Sequence, residues 1–354
     1  MKTKILTIDP IFPEVDRVIQ CAKIVRQGGL VIFPTETVYG IAADYTNAKA
    51  LKRLREVKKR AEDKPFAVLI ARKEFVDLLS DSADISAYKL IDEFWPGPLT
   101  IVMTGKEPGQ TVGIRMPNNL IALNLIYQSQ CVIAAPSANL EGNPPPLICQ
   151  EALNDLDGLV DMAIDGGSVT VGQSSTVVDL TAPDRKIIRQ GPITSEEIER
   201  VVKQKVVLFV CTGNSCRSVM AEYLMKRMLG DRKDVQVISA GTGAYVTMGA
   251  SSETLEVLRK EGINATMHRS QPVNRTMLKK ADLILVMTQT HRRQILDICP
   301  TVEKRVYLLK EFAKMSSGSG ISLDISDPIG KPKEVYEECV ITIKEIVEKV
   351  VQLI

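Results

Sequence analysis

Cys211 and Arg217 stand six positions apart in the stretch Val206-Val207-Leu208-Phe209-Val210-Cys211-Thr212-Gly213-Asn214-Ser215-Cys216-Arg217-Ser218. A thiolate can attack phosphorus, and a guanidinium fork can hold two phosphate oxygens at once. Gly213 and Asn214 tolerate the left-handed backbone angles of a tight anion nest. Ser218 can donate a hydrogen bond to the sulfur, and Thr212, Ser215 and Cys216 complete the loop. The five apolar residues before Cys211 predict a buried parallel strand, and a helical pattern starts at Val219. A strand, a short loop and a helix N-terminus aim N–H groups at one point and favour the thiolate there. The structural alternative is a core cysteine beside an unrelated surface arginine.

From about residue 205 onward the chain resembles the low-molecular-weight protein tyrosine phosphatases. Ser239-Ala240-Gly241, Ala281-Asp282-Leu283-Ile284-Leu285-Val286-Met287-Thr288 and Asp327-Pro328 share in that resemblance. It implies a small doubly wound parallel α/β domain that works through a cysteinyl-phosphate, with no cofactor. Cys211 becomes the nucleophile, Arg217 the transition-state clamp and Asp327 the general acid, then the base for water. Without the resemblance, Asp327-Pro328 reads as turn chemistry. Thr212 directly after the nucleophile resembles the protein arginine phosphatase branch. Ile329-Gly330 replaces the Tyr pair of a phosphotyrosine pocket. Ser215 for Thr and Val219 for Pro depart from that pattern. Cys216 either pairs with Cys211 on oxidation or only packs. Cys299 and Cys339 read as structural.

In residues 1–200 the periodic patterns alternate. Helices are expected over 14–27, 47–60, 73–79, 84–94 and 194–203. Strands are expected over 30–33, 66–70, 99–103, 112–117, 131–135, 159–164, 175–180 and 186–189. Between the first strand and second helix lies Pro34-Thr35-Glu36-Thr37-Val38-Tyr39-Gly40, whose hydroxyls suit a small polar ligand or an ordinary surface turn. Lys49, Lys52, Arg53, Arg55, Lys58, Lys59 and Arg60 crowd the second helix, with Lys64 beyond it. Such a face is either solvated or binds triphosphate or RNA.

The loop at 34–40, Lys58-x-Arg60, Trp95-Pro96-Gly97-Pro98-Leu99-Thr100, Arg115-Met116-Pro117, Ala135-Pro136-Ser137-Ala138-Asn139 and Ser175-Thr176-Val177-Val178-Asp179 occur in the order of the YrdC-like L-threonylcarbamoyladenylate synthases. The resemblance covers residues 5–200 and implies a twisted α/β sheet with a basic concave face. It implies a reaction of L-threonine, bicarbonate and ATP, with Mg²⁺ as helper, that releases pyrophosphate. The product serves t6A formation on tRNA, so the tRNA-modification machinery is an indirect partner. Thr35, Lys58, Arg60, Lys64, Thr111, Arg115, Ala135, Ser137, Asn139, Ser175 and Arg189 are the implied ATP- and threonine-binding positions. Lys64 for Asn, Leu69 for His, Pro145 for Ser and Gln173-Ser174 for Val-Glu depart from the family. Larger members carry an extra C-terminal domain, whereas here only residues 199–205 precede the phosphatase pattern.

The 354 residues carry a net charge of +2, so bulk charge does not argue for nucleic acid. Residues 1–200 hold 22 basic and 26 acidic side chains, net −4, and residues 201–354 hold 23 and 17, net +6. Seven scattered cysteines suggest no disulfide framework and fit a reducing cytoplasm. With two histidines, a histidine-based metal site is not expected. No apolar run is long enough for a membrane span, and none reads as a signal peptide. The expectation is a bifunctional enzyme with domains at 1–203 and 204–354. Its second half would hydrolyse a phosphorylated protein substrate, and no membrane partner is expected. The competing reading is a phosphotyrosine phosphatase regulated by a nucleotide- or RNA-binding first half.

Overall fold

Val31, Ile32 and Phe33 are all fully buried, yet they face two different cores. Successive side chains of a strand point to opposite sides, so a run with no polar member needs cover on both faces. In a computed structural model the chain is described over residues 2–62, 64–81, 84–182, 184–246, 248–314 and 322–354. It divides into two compact units, Met1–Glu199 and Arg200–Ile354.

The first unit is a mixed sheet. Among the described residues its strands are β1 (Lys4–Thr7), β2 (Val31–Phe33), β3 (Gly40–Asp44), β4 (Val68–Leu69), β5 (Leu99–Thr104), β6 (Thr111–Arg115), β7 (Ile133–Ala134), β8 (Met162–Asp165), β9 (Thr176–Asp179) and β10 (Lys186–Arg189). They lie in the order β1-β8-β2-β3-β7-β4-β6-β5-β9-β10. Val31 and Phe33 pack with Val18, Ala22 and Val25 of helix Val15–Arg26 and with Ile121 and Leu125 of helix Leu120–Ser129. Ile32 packs on the other face, with Ala50 and Leu54 of helix Ala48–Lys58 and Leu156 of helix Cys149–Leu156. Asn47 caps helix Ala48–Lys58 by accepting from the Lys49 and Ala50 N–H groups. Lys59, in a left-handed conformation at φ 51°, ends it short of the expected residue 60.

The second unit has β11 (Lys205–Cys211), β12 (Val235–Gly241), β13 (Leu283–Val286) and β14 (Val306–Leu308), all parallel in the order β12-β11-β13-β14. Helices Arg217–Leu229 and Lys333–Leu353 cover one face, where Phe209 meets Met220, Leu224 and Ile343. On the other face Leu208 and Val210 meet Leu278 and Ile295. β11 lies between β12 and β13, so its C-terminal end is the place where the chain order reverses and the loop after it opens.

Gly241 closes that loop from the side. A Cβ there would lie 2.4 Å from the Thr212 carbonyl oxygen and 2.9 Å from the Asn214 nitrogen, both backbone atoms. Gly241→Ala is expected to destabilise this unit by about 1–3 kcal/mol, the usual range for forcing a methyl into filled space. Gly243→Ala, whose Cβ would meet Thr212 only at 3.8 Å, should stay within about 0.5 kcal/mol. Amide exchange of Lys205–Cys211 across a denaturant series distinguishes the two.

Candidate active sites

The loop after β11 is built around Asn214, which is fully buried at φ 53°. Its amide donates to Ser218 Oγ at 3.1 Å and Ser239 Oγ at 2.7 Å. Its side-chain oxygen accepts from the Gln271 N–H at 3.0 Å. Its carbonyl meets His268 Nε2 at 2.9 Å and Ser270 Oγ at 2.7 Å. Because Asn214 donates to Ser218, the Ser218 proton is left for the Cys211 sulfur, 3.0 Å away.

Arg217 opens helix Arg217–Leu229 and is 4% exposed. Its Nη1 donates to the Ile325 carbonyl at 3.0 Å, and its Nη2 pairs with the Asp327 carboxylate. Its Nε–H is buried with no hydrogen-bond partner among the described residues. The structure therefore groups Cys211, Ser218, Arg217 and Asp327 around one loop. Asp327 is held there because Ile325 N–H donates to the Met287 carbonyl at 2.8 Å, tying its segment to the end of β13.

His291 also belongs to this group. It is 4% exposed and lies 2.9 Å from both the Thr212 and Thr288 hydroxyls. Burial first, and the Arg217 charge next, push its pKa down to about 4. The ring is therefore neutral at physiological pH and leaves the Arg217 charge to an anion.

In the first unit, Lys58 is 4% exposed. Its Nζ donates to the carbonyls of Ser137, at 2.7 Å, and Asn139, and lies 3.3 Å from Asn139 Oδ1. All three are neutral oxygens, so they hold the ammonium without cancelling its charge. Arg60 donates to the Pro65 carbonyl at 2.8 Å and stacks 5.2 Å over the Phe66 ring, while staying close enough to Lys58 to lower its pKa. Lys64 pairs with Glu141 at 2.5 Å. Ala135 serves through its backbone, its N–H donating to the Ala67 carbonyl at 3.0 Å.

A second cluster gathers at the far strands. Arg189 donates from Nε to the Ser175 carbonyl at 3.0 Å and from Nη2 to Ser175 Oγ at 3.1 Å. Thr100 Oγ1 lies 2.9 Å from the same hydroxyl. Arg115 is close enough to lower the Arg189 pKa, after burial as the larger cause. Gly97, in the expected Trp95-Pro96-Gly97-Pro98 turn, accepts from Arg115 Nε at 3.1 Å. Thr111, at the other end of β6, is exposed opposite Thr104. It stands four residues from Arg115, roughly 13 Å along the strand.

The 34–40 loop is not the surface turn considered above: Thr35, Glu36, Thr37 and Tyr39 are all buried. Thr35 Oγ1 donates to the Val38 carbonyl at 2.6 Å and accepts from the Thr37 and Val38 N–H groups, each at 3.2 Å. Tyr39 Oη donates to the Gly167 carbonyl at 2.6 Å. The Thr35 hydroxyl holds the loop's own shape, the Tyr39 hydroxyl ties it to Gly167, and the loop joins the two clusters. Ala138 N–H donates to the Tyr39 carbonyl at 2.8 Å, while Glu36 pairs with Arg115 at 2.7 Å. Sequence reasoning passed over Glu36 and His291. Glu36 sits inside the singled-out motif, flanked by the two threonines that form the turn. His291 follows three residues after Thr288, where another singled-out block ends.

Comparison with known proteins places both units. The family model of the Sua5, YciO and YrdC proteins, described as "Telomere recombination", matches residues 23–191. The model described as "Low molecular weight phosphotyrosine protein phosphatase" matches residues 206–354. The chain joins a Sua5/YrdC domain to a low-molecular-weight phosphatase domain. It belongs to the Sua5/YciO/YrdC family through the first of these. A threonylcarbamoyl-AMP synthase of Pyrococcus abyssi is 37% identical over 61% of this chain. The chain spans 66% of that relative's length. A putative threonylcarbamoyl-AMP synthase of Mycobacterium tuberculosis is 34% identical over 50% of this chain and 85% of its own. The solved structure of P. abyssi Sua5 with L-threonine matches with TM-score 0.55 and 26% identity, covering 86% of this chain and 99% of that one. The YwlE arginine phosphatase of Geobacillus stearothermophilus is 33% identical, covers 42% of this chain and 92% of its own, and has TM-score 0.39.

Within the Sua5/YrdC unit, burial first and then Arg60 push the Lys58 pKa down to about 8. The ammonium is the charged form, so its charge is present below about pH 8 and lost above it. Binding of a nucleoside triphosphate, followed by calorimetry, is expected to weaken as pH rises through that value. The decline should be absent in Lys58→Ala.

Proposed function

We propose that the first unit forms L-threonylcarbamoyladenylate from L-threonine, bicarbonate and ATP, for t6A synthesis on tRNA. The observation that carries this reading is the buried Lys58 ammonium, held by neutral oxygens beside Ser137 and Asn139. Attack of a carbamate oxygen on the α-phosphorus needs no enzyme nucleophile; it needs positioning and cations. In this reading Lys58, Arg60, Arg115 and Arg189 supply the charge, and Ser137, Asn139 and Ser175 supply short polar contacts. The carbamate O–P bond forms as the α–β phosphoanhydride bond breaks, and pyrophosphate leaves. Among the described residues no three His, Cys, Asp or Glu side chains group as a metal site. Mg²⁺ in this reading comes with ATP, on the nucleotide's own phosphates and water.

For the second unit the proposed reaction is dephosphorylation of a protein, with phosphoarginine as the favoured substrate. The Arg217 Nε–H, buried without a partner among the described residues, is what an arriving phosphoryl group would satisfy. Cys211 attacks phosphorus, the bond to the leaving nitrogen breaks, and Asp327 supplies the proton that neutralises it. Water, deprotonated by Asp327, then releases phosphate and regenerates the thiolate. Thr212 beside the nucleophile and Ile329 in place of an aromatic wall favour the slim guanidinium. Among the described residues no helix is long and apolar enough to cross a membrane; we place both reactions in the cytoplasm.

Two assays test the readings separately. Pyrophosphate release should require threonine and bicarbonate together, and should fall at least ~10-fold in Lys58→Ala and in Arg60→Ala, about 1.4 kcal/mol each. Unchanged release in both variants would remove the site assignment. Peptides bearing phosphoarginine should be hydrolysed faster than those bearing phosphotyrosine, and Cys211→Ser should abolish both activities. Faster turnover of phosphotyrosine would transfer the substrate assignment to tyrosine.

A further inference from the structure

Thr212 directly follows the nucleophile and is exposed at the loop, although its side chain is held on both sides. The hydroxyl meets His291 Nε2 at 2.9 Å. The methyl turns toward Gly243, where an added Cβ would lie 3.8 Å from it. An exposed threonine ordinarily has more than one accessible χ1 well. Here the imidazole selects one of them. The imidazole is itself fixed: Nδ1 lies 2.9 Å from Thr288 Oγ1, and that oxygen accepts the His291 N–H at 3.3 Å. Thr288 is the N-cap of helix Gln289–Ile298, so a helix end anchors a chain of three side chains that reaches the residue next to the thiol. A buried imidazole needs a partner at each ring nitrogen, and here one of the two is the side chain next to the nucleophile.

We infer that His291 is a positioning residue for substrate selection: it pins the Thr212 hydroxyl so that the branched side chain stands as a fixed wall of the phosphoresidue pocket. This rests on the reading of the second unit as a phosphatase, but not on which phosphoresidue it prefers. With His291 absent, Thr212 turns freely and the pocket loses one defined side. The chemistry at Cys211, Arg217 and Asp327 is left in place.

The test is a double-mutant cycle on the full chain with His291→Ala, Thr212→Val and their combination. Three substrates are compared: a phosphoarginine peptide, the matching phosphotyrosine peptide and p-nitrophenyl phosphate. The ratio of kcat/KM between the two peptides is expected to move ~3- to 10-fold toward the disfavoured peptide in each single variant, on the scale of one hydrogen bond. The double variant should be no worse than the single ones, and p-nitrophenyl phosphate turnover should fall by a smaller factor than that of the favoured peptide. His291→Gln, which keeps a donor and an acceptor, should recover part of the ratio. Effects that multiply in the double variant, or equal losses on all three substrates, would overturn the inference and make His291 a packing residue. If His291→Ala does not fold, His291→Gln and Thr212→Val alone decide it: an unchanged peptide ratio in Thr212→Val refutes the proposal. A parent chain that hydrolyses no phosphorylated substrate would instead refute the phosphatase reading.

Discussion

A cation taken out of water must be solvated by something else, and both sites are arranged around that requirement. Lys58 is surrounded by backbone and amide oxygens. Arg217 is divided between a carbonyl and a carboxylate, and its Nε–H has no partner among the described residues. Neutral oxygens satisfy N–H geometry but leave the charge to act at short range, where the surroundings screen it less than water does. Full neutralisation by buried carboxylates would have left either pocket less able to take a phosphate. The surrounding folds serve to bring those oxygens to the cation: β7 and the turn after it in the first unit, β11 and the Ile325 segment in the second.

In the second unit that requirement reaches back through Asn214. Its side chain and carbonyl together engage Ser218, Ser239, Gln271, His268 and Ser270. A buried network in which each member is satisfied is rigid, and loss of one partner leaves a costly orphan. Rigidity matters here because the loop must present N–H groups to an anion without rearranging. The close approach of Gly241 to Thr212 and Asn214 is part of the same construction.

The strand–loop–helix at Cys211 was legible because a continuous apolar run, a polar loop and a helical pattern follow one another without ambiguity. The helices at Val15–Arg26 and Ala48–Lys58 were legible from their apolar stripes. Helix Leu120–Ser129 was not expected, because Leu-Ile-Ala-Leu-Asn-Leu-Ile-Tyr is apolar on both faces even though Leu120 and Tyr127 reach the surface. β3, Gly-Ile-Ala-Ala-Asp, lacks the branched and aromatic residues that mark a strand; it is a strand because β2 and β7 pair with it on either side. The motifs named residues, but not their partners. Partnerships such as His291 with Thr212, 79 positions apart, exist only once the chain has folded. The hydroxyls of Thr35 and Tyr39, which the sequence offered to a ligand, are engaged by the protein, the first within the loop and the second at the Gly167 carbonyl.

Glu36 shows why such partnerships matter more than the count of charges. Its carboxylate lies 2.7 Å from Arg115 Nη2, both side chains being buried. Yet the alignment is poor enough that neither carboxylate oxygen nor that nitrogen completes a hydrogen bond. Distance alone would call this a strong pair, but the angles make it a charge balance with little directional hold. What orients Arg115 is its Nε donation to the Gly97 carbonyl. A buried ion pair of this kind adds little net stability, since desolvation offsets most of the attraction. Its consequence is local. Arg115 stands close enough to lower the Arg189 pKa, after burial as the larger cause, and the Glu36 carboxylate on Arg115 offsets charge within the same cluster. That carboxylate is buried in the 34–40 loop and pairs with Arg115, whereas Arg189 is held by the neutral carbonyl and hydroxyl of Ser175, which satisfy its N–H groups and leave its charge to act on an incoming anion.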